Sequence, residues 1–498
     1  MNSIGFKNFR RFQNMDPIRL GGVNFFVGGN NAGKSTVVKA MLLVANFLKN
    51  PGGSFDNPLF SLDIEGNNIL HIHNFANALN RNSIKEYKKV IELDFTLGKF
   101  SISIHLYDPK DGSSNALIRN IEIKDIKNNI LFDLLIARRE ICISLCDKQR
   151  IETSIKDLER VIAEQSEFVH AKNVDEDESI MSFEKVAEAN MIRKDAETKL
   201  AALQVLLENN NKVSFRMPSN ISRGRYLLTS WIGETVIAIH RKLEKLDRIG
   251  RITLEASLPS TDVLTECILE LNEEIDKVQL EFLSAHSAPQ QTLFTKNSEN
   301  DYVTRSLQAF VDSKIIEGTQ EMVLLEAWLK MFGIAKTIQI IPTSSGEGIE
   351  IKLDEKPLSE FGRGSIQLVV LFVRLATIMK KYSGKNVIIL IEEPEQNLHP
   401  DFQSLLAELF FEVTKASDGK VKFIIETHSE YIIRSSQVIA KEEQEKSQDI
   451  DINDKLNVVF FDTAKGPYEM IYRKDGKFVN EFGNGFFKEA SRLAFEIF

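Results

Sequence analysis

The chain has 498 residues and a mass of 56.6 kDa, and its 43% hydrophobic content is enough for two or three globular domains. Its 62 basic and 71 acidic residues give a formal net charge of −9, which argues against overall electrostatic attraction to DNA or anionic membranes. The three cysteines lack the spacing of a zinc ribbon or redox pair, and no apolar run approaches the roughly 20 residues that span a bilayer. Without a secretion signal at its N-terminus, the chain is predicted to be a soluble cytoplasmic protein.

Two short apolar segments open the chain and predict strands on either side of a polar turn. The segments are SIGFKNF and VNFFV, and the second runs directly into a Gly/Asn-rich loop. A helix is predicted to begin at Lys34. From Ile91 to Leu106 apolar and polar residues alternate, which predicts a β-hairpin, and strand-like patterns continue toward Phe132.

Helical spacing replaces this alternation in the middle of the chain. Apolar residues recur every three or four positions on both sides of an acidic segment, Asp175–Glu178. The repeating residues are Ile151, Ile155, Leu158 and Ile162 before the acidic segment, and Ala196, Leu200, Leu203 and Leu207 after it. We predict a short antiparallel helical hairpin with arms of about 20–30 residues, or ~30–45 Å. Its acidic tip should be exposed, because like charges oppose compact packing.

The rest of the chain alternates between helical and strand-like patterns. Another helical stretch covers about 225–283, a helix is predicted near Thr319–Phe332, and strands are predicted near Ile338–Ile341 and Ile349–Leu353. No internal repeat or low-complexity linker separates these parts. We therefore interpret the chain as a single α/β head with a helical insertion. The predicted parts are residues 1–131 and 284–498 for the head and 132–283 for the insertion.

A glycine-rich octet carries the most specific chemical motif of the chain. GGNNAGKS matches G-x-x-x-x-G-K-[ST] and stands between a predicted strand and a predicted helix, as a phosphate-binding loop requires. In such loops backbone N–H groups surround the phosphates, the lysine contacts the β- and γ-phosphates, and the serine hydroxyl ligates Mg²⁺. The motif predicts an ATP and Mg²⁺ site built from Gly28, Asn30, Asn31, Ala32, Gly33, Lys34, Ser35 and Thr36.

A second motif stands at the end of an uninterrupted apolar strand. The segment VIILI is followed by Glu392 and Glu393. Such strands are typical of buried parallel sheets, whose carboxyl ends bind ligands. We predict that Glu392 holds the hydration shell of Mg²⁺ and that Glu393 polarises the water that attacks the γ-phosphate.

Two further segments suggest how the γ-phosphate is sensed and shared. The run VKFIIET leads directly into His428, which would stand at the next strand end and hydrogen-bond the γ-phosphate. The segment LSEFGRGSIQ opens a helix, and the amides of Gly362 and Gly364 with the hydroxyl of Ser365 would form an anion site at its N-terminus. We predict that this site serves a nucleotide held by a second subunit. The alternative is an ordinary helix-capping turn.

Together, the segments GGNNAGKST, FGRGSIQ, LIEEPEQNLHP and ETHSEYIIRS resemble the OLD-like branch of ABC/SMC ATPases. The ending DGKFVNEFGNGFFKEA is similar to that of standalone ATPases of this branch in bacterial anti-phage systems, with the Septu and PARIS types nearest. The resemblance implies magnesium and catalytic roles for Glu392 and Glu393, a dimer-facing loop at Glu395–His399, and a switch role for His428. It also implies a basic residue near the nucleotide, a position that Arg10 and Arg11 match.

The resemblance is incomplete in two respects. The Q-loop glutamine of the family is replaced by Asn74 at the best matching position. OLD nucleases also carry a fused TOPRIM domain, whereas only 70 residues follow His428, and the D-x-D letters at 449–451 stand in a polar stretch that predicts a solvated linker. We therefore expect any nuclease activity to belong to a separate effector protein.

Three functional hypotheses follow. The leading one is a homodimer or larger homo-oligomer with shared ATP sites that controls a separate effector, a nuclease, in anti-phage defence. The second is an SMC-like DNA-binding ATPase of DNA repair or maintenance, although DNA-clamping members have arms of hundreds of residues. The third is a nucleotide-binding scaffold without turnover. Basic residues between Arg223 and Arg251 are interleaved with acids and predict a solvated helix face instead of a DNA patch.

Overall fold

The computed structural model describes residues 1–54, 57–64, 70–82, 89–145, 148–174, 180–208, 212–216, 227–245, 261–283, 293–295, 302–343, 348–446, 451–483, 486–487 and 496. The strands, in chain order, are β1 (Ser3–Phe9), β2 (Phe12–Arg19), β3 (Val23–Gly28), β4 (Gly52–Ser54), β5 (Asn57–Ser61), β6 (Asp63–Ile64), β7 (Leu70–His71), β8 (Val90–Leu97), β9 (Phe100–Tyr107), β10 (Asn115–Asp125), β11 (Ile130–Leu135), β12 (Glu140–Leu145), β13 (Lys212–Arg216), β14 (Leu280–Leu283), β15 (Leu293–Thr295), β16 (Ile338–Pro342), β17 (Gly348–Leu353), β18 (Lys356–Pro357), β19 (Val387–Glu392), β20 (Val421–Thr427), β21 (Leu456–Asp462) and β22 (Gly466–Met470).

The α-helices, in chain order, are α1 (Lys34–Lys49), α2 (Phe75–Ala78), α3 (Lys148–Val174), α4 (Ile180–Glu208), α5 (Leu227–Lys245), α6 (Thr261–Asp276), α7 (Tyr302–Asp312), α8 (Gln320–Met331), α9 (Arg363–Lys381), α10 (Pro400–Ala416), α11 (Glu430–Lys446) and α12 (Ile452–Lys455). Within the described ranges, no helix is long and apolar enough to cross a membrane.

The chain divides into two compact units. The first comprises Met1–Pro17, Asn46–Ile64 and Leu70–Asp276, and the second comprises Ile18–Ala45, Glu65–Ile69 and Lys277–Phe498. The glycine-rich loop, both carboxylates of the second motif, His428 and the predicted anion site at Gly362–Ser365 all belong to the second unit. The motifs that the sequence places far apart are therefore brought into one unit.

A ten-stranded sheet forms most of the first unit, with β13, β12, β11, β10, β9, β8, β1 and β2 side by side and β5 and β4 attached through β10. Strands β8 and β9 pair antiparallel, which confirms the predicted hairpin. Buried and half-buried residues alternate along both strands, as expected where one sheet face packs on a core. Only two residues separate Leu97 from Phe100, and Gly98 provides the positive φ of +52° that this tight turn needs.

Helices α3 and α4 pack along each other in the region of the predicted hairpin. They have 27 and 29 residues, so each is about 40 Å long. A five-residue connection spans less than about 20 Å, so the second helix must return antiparallel to the first. The predicted acidic tip, Asp175–Glu178, lies outside the described residues.

A buried polar cluster connects α6 to the sheet of the first unit. Asp125, which is fully buried, accepts a hydrogen bond from the thiol of Cys267 at 3.0 Å and forms an ion pair with Lys99 at 3.0 Å. Burial raises the pKa of Cys267 to about 12, and the neighbouring Asp125 adds to this shift. The thiol therefore stays protonated and acts as a donor inside the core.

The first unit contains more strand than the sequence predicts. Strand β2 occupies the segment that the sequence predicts to be a polar turn. Its buried residues Phe12, Met15 and Ile18 are three positions apart, so the segment lacks the alternation of period two by which a strand is predicted. The predicted boundary at residue 131 falls inside β11, and β12 and β13 extend the sheet within the segment assigned to the insertion.

Cys142 lies in β12, where it is buried in the core. Cys146 lies outside the described residues.

A six-stranded sheet forms the centre of the second unit, in the order β14, β19, β20, β3, β21 and β22. The first five strands are parallel, and β22 pairs antiparallel with β21. All six residues of β3 and the first five of β19 are buried, which explains the uninterrupted apolar sequence of β19. Helix α8 and strands β16 and β17 confirm the predictions around Thr319–Phe332 and residues 338–353.

Candidate nucleotide-binding site

The carboxyl ends of β3, β19 and β20 meet at one edge of the parallel sheet. In this register Glu392 stands beside Glu426, and Thr427 stands beside Val27, the residue that precedes the glycine-rich loop. The loop, the paired carboxylates and His428 therefore lie at the same edge, although about 360 residues separate the first from the second in sequence. Parallel α/β sheets bind their ligands at this edge.

The glycine-rich loop leads from β3 into α1, which begins at Lys34 as predicted. Gly28 has a φ of +145°, and a Cβ atom there would lie 2.6 Å from the carbonyl oxygen of Phe461. Gly33 has a φ of +111°, so both ends of the loop depend on conformations that favour glycine. The side chain of Thr36 is buried, and its amide donates to the Gly33 carbonyl at 3.0 Å.

Lys34 points back over the loop instead of into solvent. Its ammonium donates hydrogen bonds to the carbonyl oxygens of Gly28 at 3.0 Å and Gly29 at 3.2 Å, and it lies 3.2 Å from Nε2 of His428. Burial lowers the pKa of Lys34, while the carboxylates of Glu426 and Glu393 oppose this shift. The ammonium is therefore held in place at a buried position next to the loop that would surround a phosphate.

His428 connects the lysine to the second predicted catalytic group. Burial, and then the Lys34 ammonium, lower the pKa of His428, which favours a neutral ring able to accept the lysine hydrogen bond through Nε2. The same Nε2 lies 3.6 Å from a carboxylate oxygen of Glu393. The structure thus brings Lys34, His428 and Glu393 together at the sheet edge, and their catalytic roles stay predictions.

Glu393 occupies a constrained backbone position at the end of β19. Its φ is +41°, and its amide donates to the carbonyl oxygen of Glu426 at 2.8 Å. Its side chain accepts a hydrogen bond from the amide of Gln396. A non-glycine residue with positive φ costs about 1–3 kcal/mol and is frequent at functional sites. This backbone geometry leaves the Glu393 carboxylate at the sheet edge beside His428.

Glu426 is a site residue that the sequence interpretation missed. Its carboxylate accepts a hydrogen bond from the hydroxyl of Ser35 at 2.8 Å, and Glu426 is only 3% exposed to solvent. Burial raises the pKa of Glu426 to about 7, the Ser35 hydrogen bond opposes this shift, and the nearby charge of Glu392 adds to it. The sequence signal that could have indicated Glu426 is its position near the end of the apolar run VKFIIET, directly before Thr427, in the next strand after the one that ends at Glu392.

The donors at this edge fit a magnesium ion. Ser35, Glu392 and Glu426 offer only oxygen ligands, the type that Mg²⁺ prefers. Among the described residues, no group of three or more His, Cys, Asp and Glu side chains is arranged to hold a metal alone. Mg²⁺ usually takes one or two protein carboxylates and completes its shell with phosphates and water.

Glu426→Gln is expected to stabilise the nucleotide-free, metal-free protein at neutral and higher pH. The pKa of Glu426 in the folded protein, about 7, exceeds its ordinary value of 4.5. Between pH 4.5 and about 7 the folded state therefore keeps a proton on Glu426 that the unfolded state has lost. Its contribution to stability is present below about pH 4.5 and is lost as the pH rises to about 7. Glutamine carries no charge and can still accept the Ser35 hydrogen bond. The expected gain is on the order of 3 kcal/mol above pH 7 and near zero at about pH 4.

Urea unfolding in EDTA at several pH values measures this difference. Glu412→Gln, which removes an exposed carboxylate of α10, is the matched control and should show no such pH dependence. If the stability difference between Glu426→Gln and the parent protein did not change with pH, Glu426 would not be the buried titrating group.

The predicted anion site begins helix α9 and contacts the loop after Glu393. Gly362 is exposed, whereas Gly364 and Ser365 are partly exposed. A Cβ atom on Gly364 would lie 2.8 Å from the carbonyl oxygen of Asn397. The Asn397 amide also donates to Gln367 at 3.4 Å. Only glycine allows this close approach. The helix start at Gly362–Ser365 and the loop at Glu395–His399, which are both predicted to face a partner subunit, therefore adjoin each other within one chain.

Arg11 and Asn74 belong to the first unit. Arg11 is exposed in the turn between β1 and β2. Asn74 caps α2, accepting a hydrogen bond from the Asn77 amide at 2.9 Å. The capping bond explains an asparagine at this position without a nucleotide. The proximity of Arg11 to the nucleotide and the Q-loop role of Asn74 stay predictions.

A glycine-rich loop between a buried strand and a helix, with carboxylates and a histidine at the adjacent strand ends, defines a P-loop protein of the α/β class. The chain belongs to the AAA ATPase domain family, whose sequence model matches residues 1–433. This membership confirms that the chain carries an ATPase domain.

The chain resembles solved structures at low sequence identity and low TM-score. No curated protein sequence matches the chain. Similar solved structures include the Smc head domain with an extended coiled coil bound to the C-terminal domain of ScpA from Pyrococcus furiosus, with 15% identity, a TM-score of 0.28, and coverage of 100% of this chain and 98% of that one. Another is the SMC head domain from Thermotoga maritima, with 11% identity, a TM-score of 0.30, and coverage of 92% of this chain and 94% of that one. Similarity at this level carries no functional assignment.

Proposed function

We propose that this protein binds ATP with Mg²⁺ and hydrolyses it. The observation that carries the proposal is the convergence of Lys34, Ser35, Glu393, Glu426 and His428 at one edge of a parallel sheet. Phosphoryl transfer depends mainly on positioning and on charge stabilisation, and this edge supplies a buried cation, several carboxylates and a loop of backbone amides.

Each residue of this proposed site has a distinct task. Lys34 would exchange its carbonyl and histidine contacts for the β- and γ-phosphates, because a phosphate is the stronger acceptor. Ser35 and Glu392 would hold Mg²⁺, which neutralises phosphate charge, and Glu426 would orient the Ser35 hydroxyl. Glu393 would polarise the attacking water while His428 contacts the γ-phosphate.

We also propose that two copies of the chain share their ATP sites. Gly362, Gly364 and Ser365 begin a 19-residue helix whose N-terminus favours anions, and these residues are at least partly accessible. The adjoining loop at Glu395–His399 would complete the same contact surface. Dimers, or larger homo-oligomers, would then form only when ATP connects the P-loop of one copy to the helix of the other.

The resemblance to OLD-like ATPases supports a biological role in anti-phage defence, with a separate nuclease as effector. To test this role, cells expressing the gene together with its genomic neighbours would be challenged with phage, and plaque numbers would be compared with cells lacking the genes. We expect protection that Lys34→Ala removes and that Arg473→Gln, an exposed control in the same unit, leaves intact.

The SMC-like alternative makes a different prediction. If this protein is a DNA repair or maintenance ATPase, its ATP-bound form should retard duplex DNA in a gel, and neither variant should affect plaque numbers. Phage protection without DNA binding would exclude that alternative.

A further inference from the structure

A second concave site lies in the second unit, among residues that the nucleotide site does not use. It is a cavity of about 110 Å³ between strand β14 and helices α7 and α9. Its walls carry Glu281, Arg305, Arg374 and Lys381 among apolar and hydroxyl side chains. Because one water occupies about 30 Å³, the cavity has room for a small ligand and not only for a single solvent molecule.

We propose that this cavity binds a small oxyanion, a phosphate or carboxylate group. Among the described residues, three cationic side chains and one carboxylate line it, and together they carry a net charge of two positive units. Phosphate and carboxylate groups match the planar, forked donors of arginine, and two arginines face this space.

Arg374 is the strongest argument for an anion. It stands in the middle of α9, donates a hydrogen bond to the carbonyl oxygen of Phe282 at 3.1 Å, and is largely removed from solvent. Burial lowers the pKa of Arg374 to about 9, while Glu281 partly opposes this shift. The guanidinium still carries its charge at pH 7, and a charge in a region of low dielectric attracts an anion more strongly than a charge in water.

Glu281 offsets only part of this attraction, because its carboxylate is engaged with Lys381 and Tyr382 at one side of the cavity. One oxygen, Oε1, accepts hydrogen bonds from Lys381 at 2.7 Å and from the hydroxyl of Tyr382 at 2.7 Å. Arg305, on α7, approaches from a different element and is exposed, so it can contact an entering ligand. The arrangement therefore combines a partly buried cation, held by the Phe282 carbonyl, with an accessible one.

Calorimetric titration of the full chain with inorganic phosphate, and separately with citrate, tests the proposal at constant ionic strength. All proteins would carry Lys34→Ala, which weakens phosphate binding at the P-loop and makes the result independent of the proposed ATPase function. We expect saturable binding that Arg305→Gln weakens about tenfold, the effect of ~1.4 kcal/mol from one partly screened charge. Arg374→Gln should weaken it at least as much.

Glu281→Gln gives the decisive result, because removal of the carboxylate found among the described lining residues should tighten oxyanion binding several-fold. Glutamine retains an oxygen that can accept the Lys381 and Tyr382 hydrogen bonds. Arg473→Gln removes an exposed charge elsewhere in the unit and should change nothing. Preference for phosphate or for citrate identifies the group that the site accepts.

Three outcomes would overturn the proposal. They are the absence of binding to both anions, unchanged affinity in Arg305→Gln, and unchanged or weaker affinity in Glu281→Gln. If Arg374→Gln fails to fold, as a circular dichroism melt would show, the other two variants still decide the question because their side chains are less central to the core.

Discussion

Lys34→Ala is expected to abolish magnesium-dependent ATP hydrolysis and to weaken ATP binding. In the structure the ammonium of Lys34 is held at the loop by two carbonyl oxygens and by His428, so it needs little reorganisation to contact a phosphate. Removing one preorganised donor to a developing charge costs about 3 kcal/mol, or roughly 100-fold in rate, and a fixed cation at the γ-phosphate should cost at least this much.

Steady-state phosphate release and nucleotide binding measure the two effects separately. Lys49→Ala is the matched control, because it removes an exposed lysine at the other end of the same helix and should keep parental turnover. Parental turnover in Lys34→Ala would show that the glycine-rich loop is not the hydrolytic site. A fall in activity accompanied by unfolding would be detected from the urea midpoint of the variant.

Glu393→Gln is expected to retain ATP while losing hydrolysis by about 10²–10⁴-fold, the usual contribution of a general base. Glutamine keeps the backbone hydrogen bond to the Glu426 carbonyl and can still contact Gln396, so the local geometry should survive. Ser35, Glu392 and Glu426 remain available for Mg²⁺. ATP should therefore accumulate in the site, and if two copies share it, the closed dimer should accumulate as well.

Sedimentation velocity with ATP, with ADP and without nucleotide tests the association. We expect the Glu393→Gln protein to sediment as a dimer or larger assembly only with ATP, whereas the exposed-carboxylate control Glu412→Gln should behave like the parent protein. A second variant, Ser365→Arg at the proposed partner-facing helix start, should prevent association without affecting ATP binding by a single chain. Dimerisation that is independent of nucleotide would contradict the shared-site proposal.

Local sequence determined the parts of the protein whose chemistry depends on neighbouring residues. The glycine-rich loop could be predicted because it needs glycines at fixed intervals, and Gly28 and Gly33 do adopt positive φ values. The strand before Glu392 could be predicted because a strand buried on both faces must be apolar throughout. The helical arms followed from their spacing of three and four residues.

Tertiary structure alone decided which distant residues meet. Glu426 lies in the site because the parallel pairing of β19 and β20 places it beside Glu392. The register of this pairing is fixed by long-range packing and not by the local sequence. The pKa shifts of Glu426 and His428 arise from burial, which no local pattern encodes. Strand β2 escaped prediction because sheet pairing outweighed a local pattern with the wrong period. The basic cavity likewise required three elements separated by many residues to pack together, since each charged residue alone looks like ordinary surface.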